Sequence, residues 1–369
     1  MRKAIVIGAG VVGASVAYHL AQAGIEVELL DAGRPGGGTS KATLAWINAR
    51  DRTPEHYFRL SCLAMAAHRD LQAQLGCRWQ HGKGCIEWAD DEEGRELLGR
   101  EVERLHGWGY PAERLATEVA RDRFEPSLRL DPVRVPWVAR FSADTYIHPN
   151  VMIAALLGGV RVRGGRVRAG TRVSDIDVDA CGVWKVVTAE GECISGDLVV
   201  DCAGPAAGEV AGWLGLDLPM GSRPGLILVA EPAPTRIRGV LRSPAIELRH
   251  DGGGRVLINA LFAQAQLDPA DPPPLGGEVC AEALQRSRAL VSGLDGVEIE
   301  AVRVGIRPMP DDGHPLVGLV PGVDGAYVVV THSGVSLAPL LGRLVATELA
   351  EGRTVADLEP YRPDRQVVA

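Results

Sequence analysis

Residues 3–32 read KAIVIGAGVVGASVAYHLAQAGIEVELLDA, and they carry the clearest signal of the fold. Its wholly apolar run Ala4–Ile7 is typical of a strand that is buried on both faces. Gly8, Gly10 and Gly13 follow directly with the spacing G-x-G-x-x-G, and an amphipathic helix begins inside this motif. The order of strand, glycines and helix is that of a unit that binds a dinucleotide.

The glycines have different tasks in such a unit. Gly8 permits a tight turn, Gly10 lets the backbone approach a pyrophosphate, and Gly13 lets the helix pack closely on the strand. The second predicted strand, Glu26–Leu30, ends at Asp31, where a carboxylate can accept hydrogen bonds from both hydroxyls of a ribose. An ordinary glycine-rich turn would leave this acid unexplained, so we predict a dinucleotide site.

The composition limits the other possibilities. The chain has 369 residues, enough for two domains, and no apolar run reaches the length of a membrane span. A net charge of −8 argues against nucleic acid or an anionic membrane as a partner. Because the first strand starts at residue 3, we expect no signal peptide and a cytoplasmic location, where the seven cysteines would be reduced. No metal-ligand spacing and no G-x-S-x-G elbow stand out, so neither a metal site nor a hydrolase is predicted.

Hydrophobic periodicity and turn residues predict the remaining elements. Helices are expected at 54–75, 91–106, 149–157, 275–291 and 338–349, with one more ending at residue 213. Strands or apolar runs are expected at 86–88, 161–167, 171–178, 182–188, 198–200, 226–230, 245–248, 255–259, 298–304, 316–319 and 326–330. The predicted fold is α/β with two domains, a Rossmann-like nucleotide-binding domain and a substrate domain on a mixed, largely antiparallel sheet.

Three further segments are expected to lie along the ligand. Residues 201–204 (DCAG) end a strand on small residues before a helix, and residues 331–336 (THSGVS) do the same before the last helix. Residues 44–47 are too apolar for a surface loop, so we expect them to run into the protein beside the ligand.

Over nearly its whole length the chain resembles the superfamily of FAD-dependent D-amino-acid oxidases, and within it the glycine oxidase and sarcosine oxidase branch. The resemblance rests on GAGVVG with Asp31, and on GGGTS at 36–40, DCAG at 201–204, GIRPMPDDGHPLVG at 305–318 and HSGVSLAPLLGRL at 332–344. It implies an FAD-binding domain formed by residues 1–80, 147–218 and 307–369. The substrate-binding domain would be formed by residues 81–146 and 219–306.

The resemblance also implies which residues hold FAD. Asp31 would bind the adenosine ribose, the backbone of Val173 would meet the adenine, and the segment 334–336 would lie at the pyrimidine edge of the flavin. The full set of expected FAD contacts is Gly8, Gly10, Val12, Gly13, Asp31, Ala32, Thr39, Ser40, Thr43, Leu44, Trp46, Val173, Ala203, Gly204, Gly334, Val335 and Ser336.

Three departures from the family pattern qualify these expectations. Sarcosine oxidases attach FAD through a cysteine shortly before the proline-rich segment, whereas this chain has Val302–Val304 there, so non-covalent FAD is expected. Glycine oxidase carries an arginine in its last flavin loop, and this loop has none. The oxygen-activating lysine of sarcosine oxidases is also missing, because no lysine follows Lys185. The electron acceptor therefore stays open between oxygen and a carrier.

Arg307 is the predicted catalytic arginine, because the resemblance aligns it with the residue that pairs with the substrate carboxylate. A guanidinium holds a carboxylate through two parallel hydrogen bonds. The alternative is a structural arginine that pairs with Asp311 or Asp312. His332 is the second candidate for contact with flavin or substrate. The alternative is that His332 is a loop residue whose side chain forms a hydrogen bond with the backbone.

Three residues of the predicted substrate sheet complete the candidate site. Arg242 and Arg249 are candidates for binding a second polar group on the substrate. The alternative is that they are ordinary surface arginines. Ile246 stands where the family commonly has an aromatic hydroxyl. Together with the short last loop it predicts a wide, apolar pocket that suits an N-alkylglycine.

The sequence thus predicts an enzyme that oxidises the C–N bond of an amino acid of the glycine or N-substituted glycine type. Hydride would pass to flavin N5, and water would hydrolyse the resulting imine. The alternatives are a D-amino-acid or D-hydroxyproline dehydrogenase that reduces a carrier, an NAD-dependent dehydrogenase, and a flavoprotein without catalytic activity. The expected partners are a small amino-acid substrate and an electron acceptor, and assembly into a homo-oligomer is open.

Overall fold

The computed structural model describes residues 2–366. Its strands, in chain order, are β1 Lys3–Ile7, β2 Glu26–Leu30, β3 Trp46–Ile47, β4 Gln80–His81, β5 Cys85–Glu87, β6 Ala112–Ala116, β7 Trp137–Phe141, β8 Thr145–Ile147, β9 Arg166–Arg168, β10 Val173–Val178, β11 Trp184–Thr188, β12 Cys193–Gly196, β13 Leu198–Asp201, β14 Met220–Ala230, β15 Val240–Arg242, β16 Ile246–His250, β17 Val256–Ala260, β18 Ile299–Pro310, β19 Leu316–Leu319 and β20 Ala326–Val330. The helices are α1 Val11–Gln22, α2 Glu55–Leu75, α3 Glu92–Gly107, α4 Thr117–Val119, α5 Pro149–Val162, α6 Ala207–Trp213, α7 Glu278–Leu290 and α8 Gly334–Glu351.

A six-stranded sheet carries the glycine motif. Its order is β19-β20-β13-β1-β2-β9, and every neighbouring pair is parallel except β19 with β20. Strand β1 therefore lies between β13 and β2, so that Ile7 is opposite both Asp201 and Leu30. The carboxyl ends of these three strands meet at one edge, which is where ligands bind in parallel sheets.

An eight-stranded sheet faces this edge. Its order is β18-β14-β17-β16-β15-β5-β7-β6, and every pair is antiparallel except β15 with β5. Its apolar face forms a hydrophobic cluster with helix α7, which includes Leu248, Ile258 and Leu284. Two three-stranded sheets, β10-β11-β12 and β3-β8-β4, complete the fold. The predicted α/β class, with a Rossmann-like part and a largely antiparallel second sheet, is confirmed.

The predicted domain boundaries stay a prediction. The sheet β3-β8-β4 joins strands from both predicted domains, since β3 lies in the segment 1–80 and most of β8 in the segment 81–146. The boundary expected between residues 306 and 307 falls inside the long strand β18. Among the helices of residues 2–366, none is long and apolar enough to cross a membrane.

One predicted strand was wrong. The strand expected at 161–167 begins in fact as the last turn of helix α5, and β9 covers only Arg166–Arg168. Between them Gly164 adopts a φ of +84°, which turns the chain and separates helix from strand. The proline-rich segment after Arg307 first continues β18 to Pro310, and the chain turns at 311–314. Because β18 is an edge strand, its prolines need no partner on the outer side.

Candidate active site

The two large sheets enclose a cavity of about 700 Å³. This volume is typical of a ligand site. Most of the residues predicted to hold FAD line it, namely Gly8, Gly10, Val12, Asp31, Ala32, Thr39, Ser40, Thr43, Leu44, Trp46, Val173, Ala203, Gly204, Gly334, Val335 and Ser336. Arg242, Arg307 and His332 line it as well. Residues that are far apart in the sequence are thus brought to one space.

The glycine motif shapes one wall of this cavity. Gly8 has a φ of +97°, and a Cβ on it would lie 2.4 Å from the carbonyl oxygen of Cys202. Gly13 does not line the cavity, contrary to its inclusion among the FAD contacts. Its place is behind the wall, where a Cβ would lie 1.8 Å from the carbonyl oxygen of Gly8. It therefore acts through the close packing of α1 on the loop after β1.

Asp31 holds the glycine loop in addition to facing the cavity. Its Oδ2 accepts a hydrogen bond from the Ala9 amide at 2.7 Å, and its Oδ1 accepts one from the Gly33 amide at 2.8 Å. A carboxylate oxygen has two lone pairs, so each oxygen can still accept a ribose hydroxyl.

Two helices present their N-termini to the cavity. Neither α1 nor α8 has a side-chain N-cap or an acidic residue in its first turn. The two ends lie close together, since a Cβ on Gly334 would be 3.1 Å from a methyl carbon of Val12. Positive helix ends favour anionic groups such as phosphates. The cavity thus fits the pyrophosphate of a dinucleotide.

The segment after β2 connects the two sheets. The Thr39 hydroxyl donates to the carbonyl oxygen of Ile306 at 2.6 Å, and Ser40 Oγ accepts from the Val11 amide at 3.1 Å. Trp46, which also lines the cavity, donates from its indole nitrogen to Asp144 at 3.0 Å. Burial raises the pKa of Asp144 to about 7. These contacts fix the backbone and the indole beside the expected flavin position.

Helix α8 starts at Gly334, four residues before the start expected from Pro339. Pro339 therefore lies inside the helix and cannot donate to the carbonyl oxygen of Val335 four residues earlier. The buried imidazole of His68 replaces that donor, because its Nε2 lies 2.9 Å from this oxygen. Its Nδ1 accepts from the indole nitrogen of Trp79 at 3.3 Å. Burial lowers the pKa of His68 to about 4, so the ring is neutral and can donate and accept at once.

This contact gives a test of how the N-terminus of α8 is held. Replacing His68 by Leu should leave the Val335 carbonyl and the Trp79 indole unpaired and lower the free energy of unfolding by about 1–3 kcal/mol for each group. Replacing Pro339 by Ala supplies the missing backbone donor, so His68→Leu should cost about 1 kcal/mol less in that background. Urea unfolding of the four proteins measures the coupling. Equal costs in both backgrounds would contradict the assigned contact.

Arg307 extends from β18 over Gly225 of β14. A Cβ on Gly225 would lie 2.9 Å from Nη2 of Arg307, so the glycine makes room for the guanidinium. Nη2 donates to Oε1 of Gln264 at 2.8 Å, and Nη1 donates to the carbonyl oxygen of Pro224 at 3.2 Å. An arginine has five N–H donors, so three remain for a ligand. The alternative pairing with Asp311 or Asp312 is not found among the ion pairs of residues 2–366.

A chain of polar contacts continues from Arg307 along the cavity wall. Gln264 donates to Asn259 at 2.6 Å, and Asn259 donates to Glu247 at 2.7 Å. Glu247 lies 3.4 Å from Nε of Arg242, and burial raises the pKa of its carboxyl. The sequence analysis missed Gln264, Asn259 and Glu247. Successive side chains of β16 and β17 point to opposite faces of the sheet. The sequence does not reveal which of these faces is turned toward the cavity.

His332 lines the same cavity and a smaller one beside it. No hydrogen bond of its ring is found within residues 2–366, so the expected alternative of a backbone-bonded loop residue is not what the structure shows. Burial lowers the pKa of His332 to about 4, and the charges of Arg52, Arg307 and Arg223 act in the same direction. The imidazole is therefore neutral near pH 7.

Two candidate substrate residues lie outside the cavity. Ile246 is 1% exposed and points into the core, because side chains alternate along β16 and it is Glu247 that faces the cavity. Arg249 is also 1% exposed, and its guanidinium binds Asp251 at 3.1 Å and the carbonyl oxygen of Leu44. Ile246 therefore adds no apolar surface to the cavity, and charged and amide side chains form the wall at β16 and β17. A pocket that suits an N-alkylglycine stays a prediction.

Comparison with known proteins places the chain in a family. Residues 3–348 match the family described as FAD dependent oxidoreductase. The chain is 27% identical to glycine oxidase from Geobacillus kaustophilus over 374 residues, which cover 98% of this chain and 96% of that protein. It is 28% identical to glycine oxidase from Pseudomonas aeruginosa over 396 residues, with 98% of each covered.

The fold agrees with these matches. The crystal structure of glycine oxidase from Geobacillus kaustophilus aligns with a TM-score of 0.86 at 26% identity, and the alignment covers 99% of each chain. The family match spans most of the chain, and the glycine motif, Asp31 and two helix N-termini meet at one cavity that fits a dinucleotide. The chain belongs to the family of FAD-dependent oxidoreductases.

Proposed function

We propose that this protein oxidises the C–N bond of an amino acid of the glycine or N-substituted glycine type to an imine, which water then hydrolyses. The observation that carries this proposal is the position of Arg307. It lines the same cavity as the glycine motif and the N-terminus of α8, and it has unused donors. The two similar proteins described above are also glycine oxidases.

The residues of this chain would bind and orient the substrate. FAD, when bound, supplies the acceptor of the hydride that leaves the α-carbon. Arg307 would hold the carboxylate through two parallel hydrogen bonds, and Gln264 orients the guanidinium by accepting a hydrogen bond from it. The substrate nitrogen gives its proton to solvent as the C=N bond forms. Water then adds to this bond and releases a carbonyl product and an amine.

His332 would contribute as a neutral side chain. Its lowered pKa of about 4 means that it adds no positive charge beside the substrate amine near pH 7. A cation next to the amine would lower the pKa of the amine, and a neutral ring does not have this effect. The unprotonated ring nitrogen can instead accept a hydrogen bond from the N–H of the amine. We propose contact with the substrate, not proton abstraction from carbon, as its role.

FAD is expected to be bound without a covalent link. Cys202 is the cysteine that lines the cavity within residues 2–366, and it is buried, so that the pKa of its thiol is raised well above the usual value. A thiol in that state is a poor nucleophile. Acid precipitation of the purified protein should leave the yellow colour in the supernatant. Colour that stays in the washed pellet would show a covalent bond.

An anaerobic screen tests the proposed function. The FAD-loaded protein is mixed with glycine, sarcosine, longer N-alkylglycines and both enantiomers of alanine and proline, and the oxidised-flavin band is followed. At least one amino acid should bleach this band, and air is then admitted. Return of the band in air with release of peroxide identifies an oxidase, and slow return identifies a dehydrogenase that uses a carrier. Absence of bleaching by every amino acid would contradict the proposal.

A further inference from the structure

Arg307 is one of several arginines that line the cavity. Arg223 in β14 is directly opposite Arg307 in β18, and both residues line the cavity. Side chains that are directly opposite in an antiparallel pair share one face of the sheet, and like charges there destabilise it. An anion bound between or beside the two guanidinium groups would remove this repulsion.

Arg52 adds a third cation to the same cavity. Its Nε is buried and has no hydrogen-bond partner within residues 2–366. Nη1 lies 3.4 Å from the carbonyl oxygen of Asp51, which is a long contact, and the guanidinium is 5.6 Å from the centroid of the Tyr57 ring. A buried donor without a partner costs free energy unless a ligand satisfies it.

The acidic side chains nearby already have cationic partners. Asp51 and Glu247 pair with Arg242 at 3.0 Å and 3.4 Å. Asp312 lies beside the adjoining cavity and pairs with Arg365 at 2.9 Å. Arg52, Arg223 and Arg307 take part in none of the ion pairs found within residues 2–366.

The position of the extra cations separates them from the clamp. Arg52, Arg223 and His332 line both the main cavity and a second one of about 630 Å³ beside it, whereas Arg307 lines only the main cavity. Asp51 also lines both cavities, and its carboxylate is paired with Arg242. A substrate whose carboxylate is held by Arg307 could therefore extend toward this junction. The positive charge at the junction is not needed for the carboxylate itself, and it suits a second anionic group.

We propose that Arg52 and Arg223 bind a second carboxylate, so that the substrate is an amino acid with two carboxylates. Two kinds of molecule have this chemistry, an N-carboxyalkyl glycine and an amino acid with an acidic side chain. The inference rests on the proposed function, because it takes Arg307 as the clamp of the first carboxylate.

Matched substrates test this proposal on the FAD-loaded protein. The diacids are iminodiacetate, aspartate and glutamate, and each is compared with the analogue in which the second carboxylate is an amide. Both enantiomers are used where they exist. For at least one pair, kcat/KM for anaerobic flavin reduction should be about 10- to 100-fold higher for the diacid than for the amide, as expected for a charge-assisted hydrogen bond. The pair that shows this preference identifies which kind of diacid is bound.

Variants locate the second carboxylate. Arg52→Gln and Arg223→Gln should each lower the diacid-to-amide ratio about tenfold. Arg236→Gln, the same change at an exposed arginine outside the cavity, should leave the ratio unchanged. Ratios near one in the unmodified protein, with glycine or sarcosine still reducing the flavin, would overturn this inference and leave the proposed function intact. A diacid preference that both cavity variants retain would also overturn it. Lack of reduction by any amino acid would overturn both.

Discussion

Replacing Arg307 by Leu should lower kcat/KM for the amino-acid substrate about 100- to 10,000-fold. The change removes two charge-assisted hydrogen bonds to the carboxylate, and each contributes about 1.5–3 kcal/mol. Leu keeps the apolar part of the side chain, so the pairing of β18 with β14 should survive. FAD content and thermal unfolding check that the variant is folded. Rapid mixing without oxygen then measures the rate of flavin reduction and its dependence on substrate concentration.

Two further variants distinguish the clamp from a general effect of charge. Arg307→Lys keeps the positive charge but loses the two parallel donors, so most of the activity should still be lost. Gln264→Leu keeps the guanidinium of Arg307 but removes the hydrogen bond of 2.8 Å from its Nη2 to Oε1 of Gln264. This variant should mainly raise KM. Full activity of Arg307→Leu would show that the carboxylate binds elsewhere, and Arg242 would then be the next arginine to replace.

Replacing Gly13 by Ala should have the largest effect on stability and on cofactor binding. A Cβ at this position would lie 1.8 Å from the carbonyl oxygen of Gly8 and 3.1 Å from Cβ of Cys202. Because the first of these atoms belongs to the backbone, α1 and the glycine loop must move apart. We expect the free energy of unfolding to fall by at least about 3 kcal/mol. The purified variant should also contain little FAD, as measured by flavin absorbance per protein.

Gly158 provides the matched control for this change. It lies inside helix α5, and a Cβ there would meet no atom within 4 Å. Gly158→Ala should therefore stabilise the protein slightly, by about 0.5–1 kcal/mol, because Ala loses less backbone entropy on folding. Equal effects of the two substitutions would show that the close approach of α1 to the Gly8 loop is not what Gly13 provides.

Local sequence signals predicted the first unit and the segments that line the cavity. Strand, glycines, helix and Asp31 follow each other within a few tens of residues, and each step has its own physical signature. The predicted bounds of β2, β19 and β20 agree with the structure. Such agreement is expected where an apolar run is buried on both faces and turn residues flank it.

Contacts between distant segments could not be predicted in this way. The start of α8 was misplaced because Pro339 usually marks the first turn of a helix, and its compensating donor, His68, lies 267 residues from Val335 in the chain. Ile246 was assigned to the cavity because its strand was recognised but its facing side was not. A shift of one residue in a strand reverses which side chain faces the ligand. Arg223 was not predicted as a site residue, because its position opposite Arg307 depends on the pairing of β14 with β18, which the sequence does not reveal.

An anaerobic single turnover measures whether an amino acid anchored by Arg307 is oxidised at its C–N bond by the bound FAD. The FAD-loaded protein is mixed with one equivalent of the best amino acid from the screen, and both the bleached flavin and the carbonyl product are quantified. We expect one carbonyl product for each FAD reduced, and neither bleaching nor product at a comparable rate from Arg307→Leu. Bleaching without a carbonyl product, or an equal yield and rate from Arg307→Leu, would show that oxidation of an amino acid anchored by Arg307 is not the reaction.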